Sequence, residues 1–453
     1  MDESQQVQPA IPQLIDPPHR KRRRWPWVIL AVVVFLGAFG YFLPSILGLF
    51  SRDIAPIDDS DLRLQKISIP DDQNAYFDLI KMSKVIDQGP SKLGEIVDGK
   101  LWDERAAADI LQKNAEALMY FESAAQKSYY QDPNVADQAQ FSPNVILPPL
   151  NTFRNMADVS AVKSLALYRQ GKIVEALEEA FRAASIGQKM QNSQSHFIGY
   201  LVGFAIKSRA LRTMQIILQE SEIDSQSLKT YTARLERFYD NEEAMATAFK
   251  AEYWGMTVWA INAMTSQDPE KVKAFKENFG EQFGGAVDSY HFRPNETKLL
   301  FADLARAQVR DSKKHCGALE LQEIKPSVPY GDSWTILAQQ YITENVVGKT
   351  LHDVVAAAFG NAQYKRCRED YLVASTQVAM AIKAFKNDTK VYPASLTELI
   401  PKYLSKVPED PFDGAALKYD ASTKTIYSTG EKLRESGDER YKSLGELKLQ
   451  LAF

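Results

Sequence analysis

Apolar and polar residues divide this chain into three regions. From Trp25 to Phe50 the chain is almost entirely apolar and uncharged, long enough to cross a hydrocarbon core of about 30 Å as a helix. From residue 72 to about residue 388, apolar residues recur mainly at helical spacing. From Tyr392 to Gly430, Pro, Asp and Gly are frequent, and two short runs, ALKY and TIYST, are typical of β-strands. The pattern predicts a mainly α-helical protein with an N-terminal transmembrane helix and a small C-terminal α+β module.

The strongest helical periodicity follows Gly171. Apolar residues at positions i, i+3, i+4, i+7, i+8 and i+11 share one helix face: Ile173, Ala176, Leu177, Ala180, Phe181 and Ala184. A glycine here favours a helix end and a chain reversal, which predicts an αα-hairpin. LYRQGKIVEALEEAF resembles a single tetratricopeptide-type helix pair, without a clear second copy at that period. Further helices are predicted at about 72–87, 102–128, 197–220, 225–266, 268–282, 295–312, 333–359 and 364–388.

These elements predict five consecutive segments. They are a disordered tail (1–24), the transmembrane helix (25–50), a juxtamembrane linker (51–71), a body of helical hairpins (72–363), and a long helix with the α+β module (364–453). The two strands of the module are expected to form a β-hairpin. Before them, SLTELIPKYL predicts a short helix with Ser395 as N-cap and Glu398 at the capping-box position.

The charges that flank the apolar run predict its orientation. Residues 20–24 are all basic, whereas residues 52–61 contain four acids and one arginine. The positive-inside rule places the N-terminus in the cytoplasm and residues 51–453 on the opposite side of the membrane. The alternative is a cleaved signal peptide, whose apolar region is normally only about 7–15 residues long.

Net charge bears on the class of partner. The whole chain carries −4, and because residues 1–51 contribute +2, the remainder carries −6. This balance argues against a nucleic-acid partner, which would require basic surface for phosphate contacts.

Cys316 and Cys367 are the two cysteines of the chain. An oxidising compartment favours a disulfide between them, which would contribute about 4 kcal/mol through loop-closure entropy. Two buried free thiols are the alternative, because the sequence does not give the distance between the Cα atoms.

The C-terminal segment resembles the C-terminal half of the major pseudopilin of type II secretion. The matching positions are Pro408, Asp410, Pro411, Gly414, Tyr419, Tyr427, Ser428 and Gly430. The resemblance implies a long helix, a Pro-Asp-Pro turn, short strands and a Ser-x-Gly loop that binds calcium. The prepilin signal of that family is missing, so assembly into a pseudopilus is not expected. Over most of its length the chain resembles bacterial membrane proteins with one N-terminal span and a helical body, which implies no reaction.

The resemblance implies a calcium site, for which Asp410, Asp413 and Asp438 are the candidate ligands. Calcium takes six to eight oxygen ligands. After the Ser-x-Gly loop this chain has Lys432 and Arg434, where the pseudopilins have an Asp- and Gly-rich sequence. The sequence therefore favours a metal-free turn with solvated acids, in a small module that closes the fold, and the calcium site is the alternative. No other cofactor is predicted.

Residues 251–264, AEYWGMTVWAINAM, form the richest aromatic stretch. If exposed, Trp254 and Trp259 would be anchors for a partner peptide or glycan. The alternative is that this helical stripe belongs to the core.

No catalytic constellation is complete in the sequence. NVVGKT lacks the first glycine of a phosphate-binding loop. Ser160 and Lys163 match Ser-x-x-Lys without the companion motifs of penicillin-interacting enzymes. The histidines beyond the span form no His-Glu-x-x-His zinc motif: His196, His291, His315 and His352.

Stacked helical hairpins build extended binding surfaces. The sequence therefore predicts a non-catalytic scaffold or binding protein of the bacterial envelope, with the lipid bilayer and an envelope protein as partners. The alternatives are an accessory protein of a secretion or pilus system with a calcium-stabilised module, and an envelope hydrolase.

Overall fold

The computed structural model describes residues 25–50, 52–87, 93–98, 102–133, 148–220, 222–239, 242–273, 289–319, 326–329, 331–359, 362–437, 441 and 444–453. The chain divides into two compact units, Met1–Arg52 and Asp53–Phe453. The first contains helix α1 (Trp25–Phe50). Its segment Leu30–Gly48 has a mean hydropathy of 2.2 and no buried residues, and is long and apolar enough to cross a membrane.

The second unit is mainly helical, as the sequence predicts. Its helices are α2 (Ala75–Ser83), α3 (Leu93–Val97), α4 (Glu104–Lys113), α5 (Ala115–Gln126), α6 (Pro148–Arg169), α7 (Ile173–Gln191), α8 (Phe197–Glu220), α9 (Ser225–Leu235), α10 (Glu242–Glu252), α11 (Trp259–Met264), α12 (Pro294–Asp311), α13 (Trp334–Tyr341), α14 (Val346–Phe359), α15 (Ala362–Thr389) and α16 (Gly430–Glu435). A π-helical turn, Tyr253–Val258, joins α10 to α11.

Helices α6 and α7 form the predicted αα-hairpin. Gly171 between them has a φ of +74°, in the left-handed region that glycine adopts without a steric penalty. The next helix, α8, approaches α7 so closely that a Cβ on Gly187 would lie 2.5 Å from the Gly203 carbonyl oxygen. Two glycines therefore permit the close backbone contact at the centre of the body.

The long helix α15 packs against α8 and α9 and completes the core. A fully buried ion pair lies at its contact with α8, where Lys207 Nζ is 3.4 Å from Glu369 Oε1. Lys207 also donates to Gln188 Oε1 (2.7 Å) and to the Phe238 carbonyl (2.8 Å), while Gln191 donates to Glu369 Oε2. Each buried charge therefore has the partners that burial requires.

The sequence predicts continuous helices at 102–128, 225–266 and 333–359. Each of these ranges is divided in the structure, so the predictions were wrong in this respect. The first breaks at the buried Asn114, whose Oδ1 accepts from the Asp87 backbone amide. The third breaks at Asn345, which has a φ of +53° and accepts from the Arg293 amide at the start of α12. Buried asparagine side chains stop these helices by bonding to other segments.

The second predicted helix breaks in a different way. Helix α9 ends at Leu235, and a 3₁₀ turn, Glu236–Phe238, follows it. Phe238 is buried against Phe181 of α7, so burial of an aromatic ring accompanies the departure from helical periodicity. The predicted helix at 268–282 lies largely outside the described residues.

The C-terminal module begins where α15 ends. A 3₁₀ turn, Leu396–Leu399, follows Ser395, and Glu398 accepts from the Ser395 amide (3.1 Å) as the predicted capping box requires. The predicted β-hairpin is confirmed as β1 (Lys418–Asp420) and β2 (Thr425–Tyr427). A third antiparallel strand that sequence reasoning missed, β3 (Lys448–Gln450), pairs with β2.

The segment after α1, predicted as a juxtamembrane linker, is held against the helical body along its first half. Leu62 is buried in a cluster with Tyr253 and Phe301. Arg306 forms two hydrogen bonds with the Asp61 carboxylate, at 2.9 and 2.7 Å. The second unit begins at Asp53, the third residue after the end of α1.

Candidate functional site

A cleft of about 550 Å³ lies between the helical body and the C-terminal module. Its volume falls within the range of small-molecule and peptide sites. The lining residues are Glu236, Tyr239, Glu242, Lys313, Lys314, His315, Arg366, Asp370, Gln377, Ser405, Lys406, Pro408, Glu409 and Pro411. We call this feature the module cleft.

One wall of the module cleft is the turn at residues 405–411. The Ser405 hydroxyl donates to Glu236 Oε1 (2.7 Å), and this bond ties the turn to the 3₁₀ segment after α9. Pro408 and Pro411 are buried. The module therefore supplies one wall of the cleft as well as closing the fold.

Asp410 holds this wall in place. The residue is fully buried, and its Oδ1 accepts from the Phe412 amide (3.0 Å) and the Ser428 hydroxyl (2.6 Å). Its Oδ2 accepts from the amide and the hydroxyl of Thr429. A carboxylate has about four acceptor positions, so these four bonds join the Pro-Asp-Pro turn firmly to the Ser-x-Gly loop.

These bonds bear on the predicted calcium site. The Asp410 carboxylate makes four hydrogen bonds, and Asp413 accepts from the Ala415 amide and pairs with Lys418 at 3.2 Å. Asp438, the third candidate ligand, lies outside the described residues. Within the described part of the chain, no group of three or more His, Cys, Asp or Glu side chains is arranged to hold a metal ion. The calcium site stays a prediction.

A disulfide joins Cys316 to Cys367 beside the module cleft, with the Cα atoms 6.3 Å apart. The Cys316 amide donates to the Pro411 carbonyl (3.0 Å), and the Gly317 amide donates to the Phe412 carbonyl (2.8 Å). A Cβ on Gly317 would lie 2.4 Å from the Phe412 oxygen, so only glycine permits this approach. The disulfide, the loop after α12 and the Pro-Asp-Pro turn are therefore one connected structure.

Two residues that flank the cysteines, His315 and Arg366, line the cleft. His315 is exposed, whereas the Arg366 side chain is largely buried. Arg366 donates to the Lys314 carbonyl (2.6 Å) and lies 3.7 Å from the Asp370 carboxylate. These contacts hold the guanidinium in one orientation at the base of the cleft.

Exposed charges of both signs surround the opening. Lys406 pairs with Glu409 at 3.3 Å, and Lys313 lies 3.6 Å from Glu243. Glu242, at the start of α10, adds a further exposed carboxylate. Ion pairs of this kind are worth only about 0–1 kcal/mol in water, so a charged ligand can replace them at little cost.

Tyr239 contributes a neutral surface. Burial raises the pKa of its hydroxyl far above the usual value, and the carboxylates of Asp370, Glu236 and Glu409 raise it further. The hydroxyl therefore stays protonated and donates to Gln377 Oε1 (2.7 Å).

The predicted partner-binding tryptophans lie elsewhere and are half-buried. Trp254 packs edge-on against Tyr253, and the Arg63 guanidinium covers its ring at 5.3 Å. Trp259 packs against the main core. Neither side chain lines the module cleft, and partner binding there stays a prediction.

The residues considered for catalysis have structural contacts. The buried Ser160 donates to Glu179 Oε1 (2.9 Å), and Lys163 pairs with the same carboxylate, so both residues tie α6 to α7. His196 is only 2% exposed and packs against Gly255 of the π-helical turn. Of the histidines that the sequence singles out, His315 lines the module cleft.

Sequence reasoning found the module wall but missed the opposite wall. Glu236 follows α9, Glu242 begins α10, and Arg366 and Asp370 lie on α15. No motif marks these residues. The one available signal was the position of Arg366 directly before Cys367, which is informative only once the disulfide partner is known.

Comparison with protein-family models, with curated proteins and with solved structures gives no match to this chain. The pseudopilin-like and tetratricopeptide-like resemblances therefore stay predictions from the residues that carry them.

Proposed function

We propose that this protein is a membrane-anchored, extracytoplasmic binding protein of the bacterial envelope without a catalytic activity of its own. Residues 25–50 anchor it with the N-terminus in the cytoplasm, and the module cleft takes a peptide-like ligand that carries both a carboxylate and an ammonium group. The observation that carries the proposal is the lining of the cleft, which combines charges of both signs with buried proline and a neutral tyrosine.

The charge arrangement supports an amphoteric ligand. The buried Arg366 is oriented by protein contacts and provides a fixed donor for a carboxylate. Glu242 and Glu409 provide exposed acceptors for an ammonium group. Lys406 and Glu409 form an exposed ion pair. A ligand that carries both charges can therefore pair with these two side chains in place of their bond to each other, without a large desolvation cost.

The anchor is supported by composition. Leu30–Gly48 contains no charged residue, and basic residues precede α1 while acidic residues follow it. Anchoring raises the local concentration of the cleft near the membrane and restricts its ligands to envelope components.

The test is site-specific photocrosslinking in intact cells with the full-length chain. A photoreactive amino acid replaces Glu242 in the cleft, or Glu116 on α5 as an exposed glutamate outside it. We expect a discrete crosslinked product from position 242 that is absent at 116 and is lost in a Lys406→Glu background. Equal products from both positions, or a product unaffected by Lys406→Glu, would contradict binding in the cleft.

The anchor is tested on the same cells. We expect the full-length protein to remain in the membrane pellet after alkaline carbonate extraction. Release into the supernatant, with an N-terminus that begins beyond residue 25, would instead indicate a cleaved signal peptide.

A further inference from the structure

Helix α13 presents an apolar stripe to solvent. Trp334, Leu337, Tyr341 and the following Ile342 are 86%, 42%, 39% and 56% exposed, and they occupy positions i, i+3, i+7 and i+8 of one face. No residue of α13 is buried. Soluble proteins seldom leave such a stripe uncovered unless it contacts something.

The exposure does not result from a detached helix. The Ser333 hydroxyl caps α13 by accepting from the Ile336 amide (3.3 Å), and Gln340 donates to the Pro329 carbonyl (2.8 Å). Beside it, the Tyr290 hydroxyl donates to the Ile342 carbonyl (2.6 Å). The C-terminal end of α13 is therefore attached to neighbouring segments, while its apolar side chains are exposed.

The same contacts continue to Asp53, the third residue after α1 ends. The Asn345 amide donates to the Tyr290 carbonyl (2.9 Å), and Asn345 Oδ1 accepts from the Arg293 amide (3.0 Å). Two residues further on, the amides of Asn295 and Glu296 donate to the Asp53 carboxylate (2.8 and 3.1 Å). A short series of direct contacts therefore joins the end of α13 to Asp53.

This part of the second unit follows α1 closely in the sequence. Only Ser51 and Arg52 separate Phe50 from Asp53. Ile54, the next residue, is itself 39% exposed and accepts through its carbonyl from Asn295 Nδ2. Ile54 and the start of α12 therefore belong to the part of the second unit that a short stretch of chain connects to the anchor candidate.

We propose that the stripe of α13 docks on the bilayer surface, as a second contact beside the anchor. The inference rests on the proposed function, because it requires α1 to span the membrane. Tryptophan and tyrosine favour the interfacial region of bilayers, and an amphipathic helix inserts its apolar face about 5–10 Å deep. The sequence of α13, WTILAQQY, carries no charge. The contact therefore depends on apolar burial and is independent of anionic lipid.

The experiment uses the full-length chain in liposomes of zwitterionic phosphatidylcholine. A nitroxide label is attached to Leu337→Cys on α13, to Met119→Cys on α5, or to Phe35→Cys in α1; Met119 and Phe35 are exposed apolar residues (70% and 67%). The native cysteines are joined in the disulfide and do not react. Collision rates with oxygen, which enters lipid, and with a water-soluble nickel chelate report the depth of each label.

We expect the ratio of oxygen to nickel collisions at position 337 to exceed that at position 119 several-fold and to approach that at position 35. The ratio should fall when Trp334→Glu is added, and it should not change when anionic lipid is included. These results together would support docking of α13 on the bilayer.

Other outcomes overturn the inference and separate it from the proposed function. A lipid-embedded label at position 35 with a water-exposed label at position 337 would retain the anchor and refute the docking of α13. Shielding of position 337 from both reagents would show that protein, from this chain or from a second copy, covers the stripe. A water-exposed label at position 35 would refute the anchor and the docking together.

Discussion

The turn around Asp410 and helix α13 differ in whether their side chains are buried or exposed. In the turn, a fully buried carboxylate has four donors, and Phe412 is packed against Gly317 and Gly430. In α13, the apolar side chains face water and none is buried. The turn is fully explained by contacts within the chain, whereas the stripe of α13 gains little from the fold. The turn buries its apolar side chains within the protein, whereas α13 exposes them. The comparison teaches that the location of the apolar area distinguishes a segment stabilised by the fold from one that we propose contacts the bilayer.

Removal of the disulfide should have the largest effect on the turn. We expect the Cys316→Ala/Cys367→Ala variant to lose about 4 kcal/mol of unfolding free energy, because the bond closes a loop with a sequence separation of 51. Urea unfolding of the full chain in detergent, followed by circular dichroism, measures the loss.

The single variant Cys316→Ala is the control, because it breaks the same bond. It should cost nearly as much as the double variant. If the losses of unfolding free energy of the two single variants added up to the loss of the double variant, packing of the cysteines rather than the bond would provide the stability.

Substitution at Asp410 should have the next largest effect. In Asp410→Asn, an amide NH2 group takes the place of the carboxylate oxygen that accepts from Thr429. Two donors then face each other and the charge-assisted hydrogen bonds are lost. We therefore expect a loss of about 3 kcal/mol of unfolding free energy. Asp413→Asn, at an exposed position of the same turn, should change stability by less than about 0.5 kcal/mol.

A calcium chelator separates the two interpretations of this turn. With a metal-free turn, the urea midpoint of the wild-type protein should be the same with and without chelator. A lower midpoint in chelator, restored by added calcium, would show that residues of the module bind the ion and that the hydrogen bonds of Asp410 do not suffice.

The smallest effect on stability is expected in α13. Leu337→Ala should change the unfolding free energy by less than about 0.5 kcal/mol, because this side chain is exposed. The matched variant Leu211→Ala, at a fully buried position of α8, should cost about 2–5 kcal/mol through lost burial and a cavity. A large loss for Leu337→Ala in detergent would show that α13 packs within the protein and would remove the contrast.

Much of the fold could be predicted from local pattern. The αα-hairpin around Gly171, the capping box at Ser395 and the β-hairpin of the module depend on residues close together in the sequence, and these predictions are confirmed. The breaks at Asn114 and Asn345 were missed because each asparagine bonds to a distant segment. Strand β3 was missed because its partner lies more than 20 residues earlier.

The module cleft illustrates the same limit for a candidate site. The turn at 405–411 has its own Pro- and Asp-rich sequence and could be singled out. Glu236, Glu242 and Arg366 are ordinary charged residues of helical segments, and only packing of α15 and the module brings them to one cavity. The location of the site therefore depends on long-range contacts that sequence periodicity does not encode.

The sequence by itself determined the apolar N-terminal helix, the helical character of the body and the local structure of the module, because spacing and turn chemistry act over a few residues. Only the tertiary structure decided that the apolar face of α13 is exposed while the stripe of α7 is buried. The physical reason is that an amphipathic pattern specifies which side chains lie together but not which surface, protein or lipid, covers them.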